Sequence, residues 1–137
     1  MIKFTEEMKE VAEKGKPFVI ATASPGGEPN AVPIAFAKIV SDDEIILVDN
    51  FMRKTIQNIE TNPMVSVSVW AKMDTGKSIG YQFKGKAKRE RSGELFNSTV
   101  DWTKSIASQL NPKGVVKVKV DSIYITTAGP NAGNKVE

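Results

Sequence analysis

The chain has 137 residues, 40% of them hydrophobic and 26% charged, with a net charge of +3, which suits one globular domain with a single core. It contains no cysteine and no histidine, which excludes disulfides, thiolate metal centres and cysteine nucleophiles, and removes the commonest general base and zinc ligand. Any catalysis must lean on a cofactor, a carboxylate, a lysine or a tyrosine. The start MIKFTEEMKE has no apolar signal core, and no apolar run approaches the ~18 residues of a membrane span. The expectation is therefore a cytoplasmic protein. The mild positive charge suits phosphate-bearing small ligands and permits weak nucleic-acid binding.

Thr5 is the expected N-cap of a first helix with Phe4, Met8, Val11 and Ala12 on one face and Gly15 at its end, covering an open edge or end of a barrel. Phe18 to Ala23 reads as a strand. The SPGGEP turn follows, because Pro presets φ and Gly accepts positive φ. The run from Asn30 to Val40 contains Pro33, which cannot donate to a ladder and so marks an edge, a bulge or a departure from the neighbouring strand. A turn at 41–43 and a strand from Glu44 to Val48 complete a meander. Met52 to Glu60 has helical spacing (Met52, Ile56, Ile59) and stops at Asn62 and Pro63. Met64 to Trp70 alternates as a half-buried strand, and 71–78 is a loop. Ile79 to Arg89 is a long strand with Gly80 and Gly85 as bulge or close-approach points. A helix from Ser92 carries Leu95, Thr99, Trp102, Ile106 and Leu110 on one stripe and stops at Asn111 and Pro112. Val115 to Thr127 is the last strand, with Val116, Val118 and Val120 on one face and Lys117 and Lys119 on the other.

These elements, about six strands with two to three inserted helices and no βαβ alternation, predict a mainly β fold, a closed or partly closed antiparallel barrel. The domain is expected to span 1–128, with a flexible tail at 129–137.

The segment richest in chemistry is DNFMRKT at 49–55. A helix beginning near Asn50 to Met52 places Arg53 and Lys54 in its first turn, where the positive end of the macrodipole disfavours each cation by a few tenths to ~1 kcal/mol. A bound anion would compensate, since free backbone N–H groups, two cations and the Thr55 hydroxyl could converge on one phosphate. The residues alone leave a second reading open, in which both side chains bend into solvent.

The MRKT stretch after a strand and short turn, followed by Asn62, Pro63 and an alternating strand, resembles the phosphate-binding segment of the pyridoxamine 5'-phosphate oxidase-like split-barrel flavoproteins. The likeness extends in strand order from Pro17 to about Thr127. It implies a six-stranded Greek-key split barrel that binds FMN as a homodimer, with the cofactor between subunits. It further implies that Lys54 and Thr55, supported by Arg53, hold the FMN phosphate. Contacts from Asn30, Ala31, Val32 and Pro33 are implied where the second strand passes the flavin, and Val48, Asp49 and Asn50 would flank the ribityl chain or ring. Gly80, Tyr81 and Gln82 would reach the partner's flavin. One departure bears on the substrate: members that oxidise pyridoxamine phosphate carry a histidine and several arginines near the C-terminus, whereas this chain has no histidine and no arginine after Arg91. The resemblance thus implies an FMN protein of electron transfer or low-specificity oxidoreduction rather than an oxidase of that substrate. The deazaflavin F420 is a variant within the same fold.

Two rival signals are weaker. AKMDTGKS at 71–78 matches a permissive phosphate-loop pattern, but strand residues follow it and no βαβ unit surrounds it. Lys84, Lys86 and Lys88, with Arg89, Arg91, Lys117 and Lys119, could track a nucleic-acid backbone. Too few aromatics accompany them, and solvent-facing lysines also suppress edge pairing. Trp102 and Phe96 are expected in core or dimer packing, and Trp70 at an interface or ligand.

Overall fold

The computed structural model describes residues 2–136. The first helix, α1 (Glu6–Lys14), is held at its start by a reciprocal cap: the Met8 N–H donates to Thr5 Oγ1 at 3.2 Å, and the Thr5 N–H donates to Met8 Sδ at 3.4 Å. Its expected face, Phe4, Met8, Val11 and Ala12, is buried and packs on the sheet.

The strands are β1 (Phe18–Ala23), β2 (Pro29–Ile34), β3 (Ala37–Ile39), β4 (Glu44–Asp49), β5 (Met64–Lys72), β6 (Ser78–Glu90) and β7 (Gly114–Ile125). They form one antiparallel sheet in the order β2-β1-β5-β6-β7-β4-β3. The two edges of that order, β2 and β3, are successive pieces of one run joined through Ala35 and Phe36, so the sheet curls into a split barrel. The run counted as one strand from sequence is divided because its first part pairs with β1 (Val19 opposite Pro33) and its second with β4 (Ala37 opposite Leu47). The departure expected near Pro33 occurs one residue later, after Ile34.

The core is apolar and largely β-branched, as alternation predicts: Val65, Val67 and Val69 of β5 and Val116, Val118 and Val120 of β7 all point inward. Phe83 lies at its centre, edge-on to Phe4 at 5.2 Å between centroids. The β6–β7 ladder shifts register at Lys84/Gly85, leaving Asp121 as the extra residue. Gly85 is required there, because a Cβ would run into the Lys119 carbonyl. The phosphate-loop-like stretch is a hairpin tip, with Met73 N–H donating to the Lys77 carbonyl at 2.8 Å.

The second helix, α2 (Lys54–Thr61), and the third, α3 (Glu94–Ile106), are both shorter than expected. In α3 the expected stripe fails at its end: Ile106 is 63% exposed, and Leu110 lies beyond the helix in a turn onto Ala107. The chain leaves the helix early because 107–113 must cross to β4, where the Lys113 N–H donates to the Asp49 carbonyl at 2.8 Å. The buried positions of α3 are Thr99 and Thr103, and Trp102 is half-buried against Phe36. Residue 137 lies outside the described residues; the rest of the stretch expected to be a flexible tail, 129–136, turns at 129–132 and runs back along β7. There the Ile125 N–H donates to the Asn134 carbonyl (2.9 Å) and the Val136 N–H to the Ile123 carbonyl (2.8 Å).

Two substitutions test this account by chemical denaturation. Thr5→Ala, which removes the cap, lowers stability by ~1 kcal/mol. Gly85→Ala, which forces β6 and β7 apart, costs about 1–3 kcal/mol.

Candidate functional site

The strand β2 and the end of β4 diverge beside the start of α2. Between them opens a groove of about 570 Å³, within the range of small-ligand sites. One wall is β2 with Ala35 and Phe36; the other is the end of β4, the turn at 50–52 and the start of α2.

The start of α2 is unlike that of α1. Helix α1 begins with a Thr cap and Glu6 and Glu7 in its first turn, the arrangement that suits the positive end of a helix. Helix α2 begins at Arg53 with no side-chain cap and no acidic residue in its first turn, and Lys54 is its first helical residue. The first helical bond is from the Gln57 N–H to the Arg53 carbonyl, which leaves the N–H groups of Lys54, Thr55 and Ile56 without intrahelical partners. Arg53 and Lys54 are exposed, whereas Thr55 is 1% exposed. Its hydroxyl accepts from Asn30 Nδ2 at 3.2 Å, joining α2 to β2 across the groove. The Oδ1 of Asn50 is buried and has no donor. This end of the groove therefore offers backbone donors, a hydroxyl and two cations to an anion. The rest of the lining, with Val48, Ile34, Phe36, Met52 and Leu110, is apolar and suits a flat ring.

Of the residues singled out from sequence, Asn30, Val32, Pro33, Val48, Asn50, Arg53, Lys54 and Thr55 line this groove. Ala31 points to the outer sheet face opposite Ala21. Asp49 is turned inward and fully buried, 2.9 Å from Arg89, so it does not face the groove. Gly80, Tyr81 and Gln82 lie on β6 outside the groove of their own chain. Gly80 donates its N–H to Thr127 Oγ1 at 3.0 Å, and Gln82 sits between Ser68 and Tyr124 in the ladders. The groove also recruits Ile34, Ala35, Phe36, Phe51, Met52 and Leu110. Ile34 continues the inward alternation of Asn30 and Val32, and Phe51 and Met52 fall between residues already singled out. Leu110 has no local signal, since it arrives from beyond α3.

Tyr81 belongs to a separate surface hollow of about 630 Å³ with Glu7, Ile79 and Thr127. Its hydroxyl donates to the Glu7 carboxylate. Burial, and then the Glu7 charge, push the phenol well above its ordinary value. Among the described residues no group of three or more potential ligands is placed to hold a metal ion, and no helix is long and apolar enough to cross a membrane.

Comparison with known proteins agrees with this architecture. The profile of the pyridoxamine 5'-phosphate oxidase family matches residues 4–127. The chain is similar to the uncharacterized protein MJ0282 of Methanocaldococcus jannaschii, 35% identical over 99% of this chain and 89% of that one. Among solved structures it resembles HupZ of Group A Streptococcus (27% identity, TM-score 0.79, covering 95% of this chain and 99% of that one). The fold is shared with an FMN-binding protein from Syntrophomonas wolfei (18% identity, TM-score 0.73, covering 90% and 92%). It is also shared with the heme storage protein HutZ from Vibrio cholerae (19% identity, TM-score 0.68, covering 90% and 95%). The chain belongs to the pyridoxamine 5'-phosphate oxidase family.

The raised Tyr81 phenol predicts a pH dependence. Its ionised form is penalised in the fold, so its contribution to stability is complete below the ordinary phenol value of about 10 and is lost as pH rises toward the higher native value. Denaturation midpoints measured across alkaline pH fall more steeply for the wild type than for Tyr81→Phe.

Proposed function

We propose that this protein binds FMN in the groove between β2 and the start of α2, with the phosphate on the first turn of α2. The observation that carries the reading is the reversal of capping chemistry along one chain. The first helix has a hydroxyl cap and acids at its positive end, and the second has three unpaired N–H groups and two cations at the edge of a groove. An anion converts that unfavourable start into a favourable one. The donor set fits FMN: Lys54, Thr55 and Arg53 would hold the phosphate, and Asn50 Oδ1 would accept from a ribityl hydroxyl or a ring N–H. Asn30 and the β2 backbone through Pro33 would border the ring. FMN supplies the redox chemistry when bound; the chain's own residues bind, orient and exclude water. With no titratable group at the apolar end of the groove, the reading is electron transfer or oxidoreduction of low specificity rather than hydrolysis.

Heme is the ligand named for two proteins of this fold, HutZ and a heme binding protein from Mycobacterium smegmatis. These 137 residues contain neither histidine nor cysteine, two of the usual axial ligands, and the groove offers only Met52 in their place. The residues favour the flavin.

A second subunit fits the same reading. The outward positions of β2, β1, β5 and β6 (Ala31, Pro33, Val19, Ala21, Ser66, Ser68, Trp70, Gly80 and Gln82) carry no charge up to Lys84 at the border of the patch, and Trp70 is 63% exposed among them. Such a surface suits a protein partner. Pro33 belongs to this face and to the groove, so a copy docked here would border the ligand, with Gly80, Tyr81 and Gln82 on the same strand system. The expected mass in solution is that of a dimer, and Trp70→Glu shifts it to a monomer.

The first test is the visible absorption spectrum after incubation with FMN and desalting. Retention near one flavin per chain supports the reading; a colourless protein, or one that retains F420 and no FMN, overturns it. Lys54→Ala with Thr55→Ala weakens FMN binding by roughly 1–3 kcal/mol per hydrogen bond lost. Unchanged affinity in the folded variant places the phosphate elsewhere.

A further inference from the structure

The buried Asp49 and the half-buried Arg89 form a pair beside the groove, and neither lines it. Asp49 is 0% exposed and ends β4. Its Oδ1 accepts the Met52 N–H at 3.0 Å, which closes the turn leading from β4 into α2. Its Oδ2 lies 2.9 Å from Arg89 Nη2. Arg89 is on β6, two strands away, and β7 stands between. The guanidinium can cross because β7 presents Gly114 opposite Asp49. A Cβ at Gly114 would lie 3.1 Å from Arg89 Nε, tighter than ordinary contact. The other guanidinium nitrogen, Nη1, reaches Glu60 in the last turn of α2 at 3.8 Å. One arginine thus contacts the residue that shapes the start of α2 and a residue at its end.

The pair is poorly suited to stability alone. Neither Asp49 Oδ2 nor Arg89 Nε completes a hydrogen bond, and an ion pair with its carboxylate fully buried and hydrogen-bonding capacity unfilled is commonly no better than apolar residues of the same volume. What the pair supplies is geometry and charge. It fixes the acceptor for the Met52 N–H, and it neutralises a carboxylate that would otherwise repel an anion bound at Arg53 to Thr55.

We infer that Arg89 and Asp49 are positioning residues for the anion-binding turn, acting across Gly114 to hold the start of α2 ready for a phosphate. This rests on the flavin reading above, and the test separates the two. The variant Asp49→Val/Arg89→Met replaces the pair by apolar side chains, so it leaves no uncompensated buried charge and is expected to fold. Affinities for FMN and for riboflavin, which lacks the phosphate, are measured in wild type and variant, together with amide hydrogen exchange at Met52. The expected result is faster exchange at Met52 and an FMN affinity lowered about tenfold, the lower end of what outer-shell partners contribute to a bound ion, with riboflavin affinity unchanged. A loosened fold would lower both affinities together. In Asp49→Asn/Arg89→Gln, which keeps a neutral acceptor for the Met52 N–H, most of the preference for FMN returns. A wild type that discriminates beside an Asp49→Val/Arg89→Met variant that discriminates equally overturns the role of the pair. A wild type that binds FMN no better than riboflavin overturns the phosphate site itself.

Discussion

The run from Pro29 to Ile39 has to serve two neighbours that do not lie side by side. Its first half completes a ladder with β1, and its second half completes one with β4. No straight strand can do both, so the chain bends at Ala35 and Phe36. The bend joins the two edges of the sheet, and it also keeps β2 from pairing with the end of β4. The groove is the space left by that divergence. Its walls are therefore set by backbone pairing rather than by loops, and side chains from rigid elements line it. This suits a site in which orientation matters.

Electrostatics then distinguishes the two ends of the groove. A positive charge at a helix N-terminus is disfavoured, and α2 begins with two. The cost is modest because both side chains reach water, so the arrangement is stable without a ligand and favourable with an anion. Behind it, the Asp49 carboxylate is the one acid fully removed from solvent among the described residues, and its partner must come from β6 because the adjacent position on β7 is a glycine. The lysines of the outer face have ordinary surroundings. Lys119 lies 2.6 Å from Asp43, and Lys117 is shared between Glu44 and Glu90. Lys84 lies over the Tyr124 ring at 5.0 Å. With Arg89, three of the cations that a nucleic-acid reading requires are thus already neutralised within the chain.

Family membership and fold reach no further than a scaffold that different proteins use for different ligands. The proposed preference for flavin over heme rests on this chain's own residues: the uncapped start of α2, the buried Asn50 oxygen and the missing histidine and cysteine.

Local chemistry was legible from the sequence wherever one element contains the whole signal. The Thr5 cap and Gly15 stop bound α1, strict alternation placed β5 and β7 with the correct face inward, and Pro33 marked the departure of its strand within a residue. The cluster of Asn50, Arg53, Lys54 and Thr55 was legible for the same reason, since a helix start is a local object with a local charge preference. The end of α3 was misread because its stop is imposed by the crossing to β4, not by Pro112. Asp49 was expected beside the ligand from the family resemblance, whereas its direction is decided by Arg89, forty residues on, and by a glycine on the strand between. Leu110 joined the groove with no signal at all. Periodicity, caps and helix-end charge are properties of neighbours along the chain, so the sequence by itself determined the elements and the cation-bearing start of one helix. Which side chains share a cavity and which buried pair holds that turn depend on strand order and register, and only the folded sheet decided them.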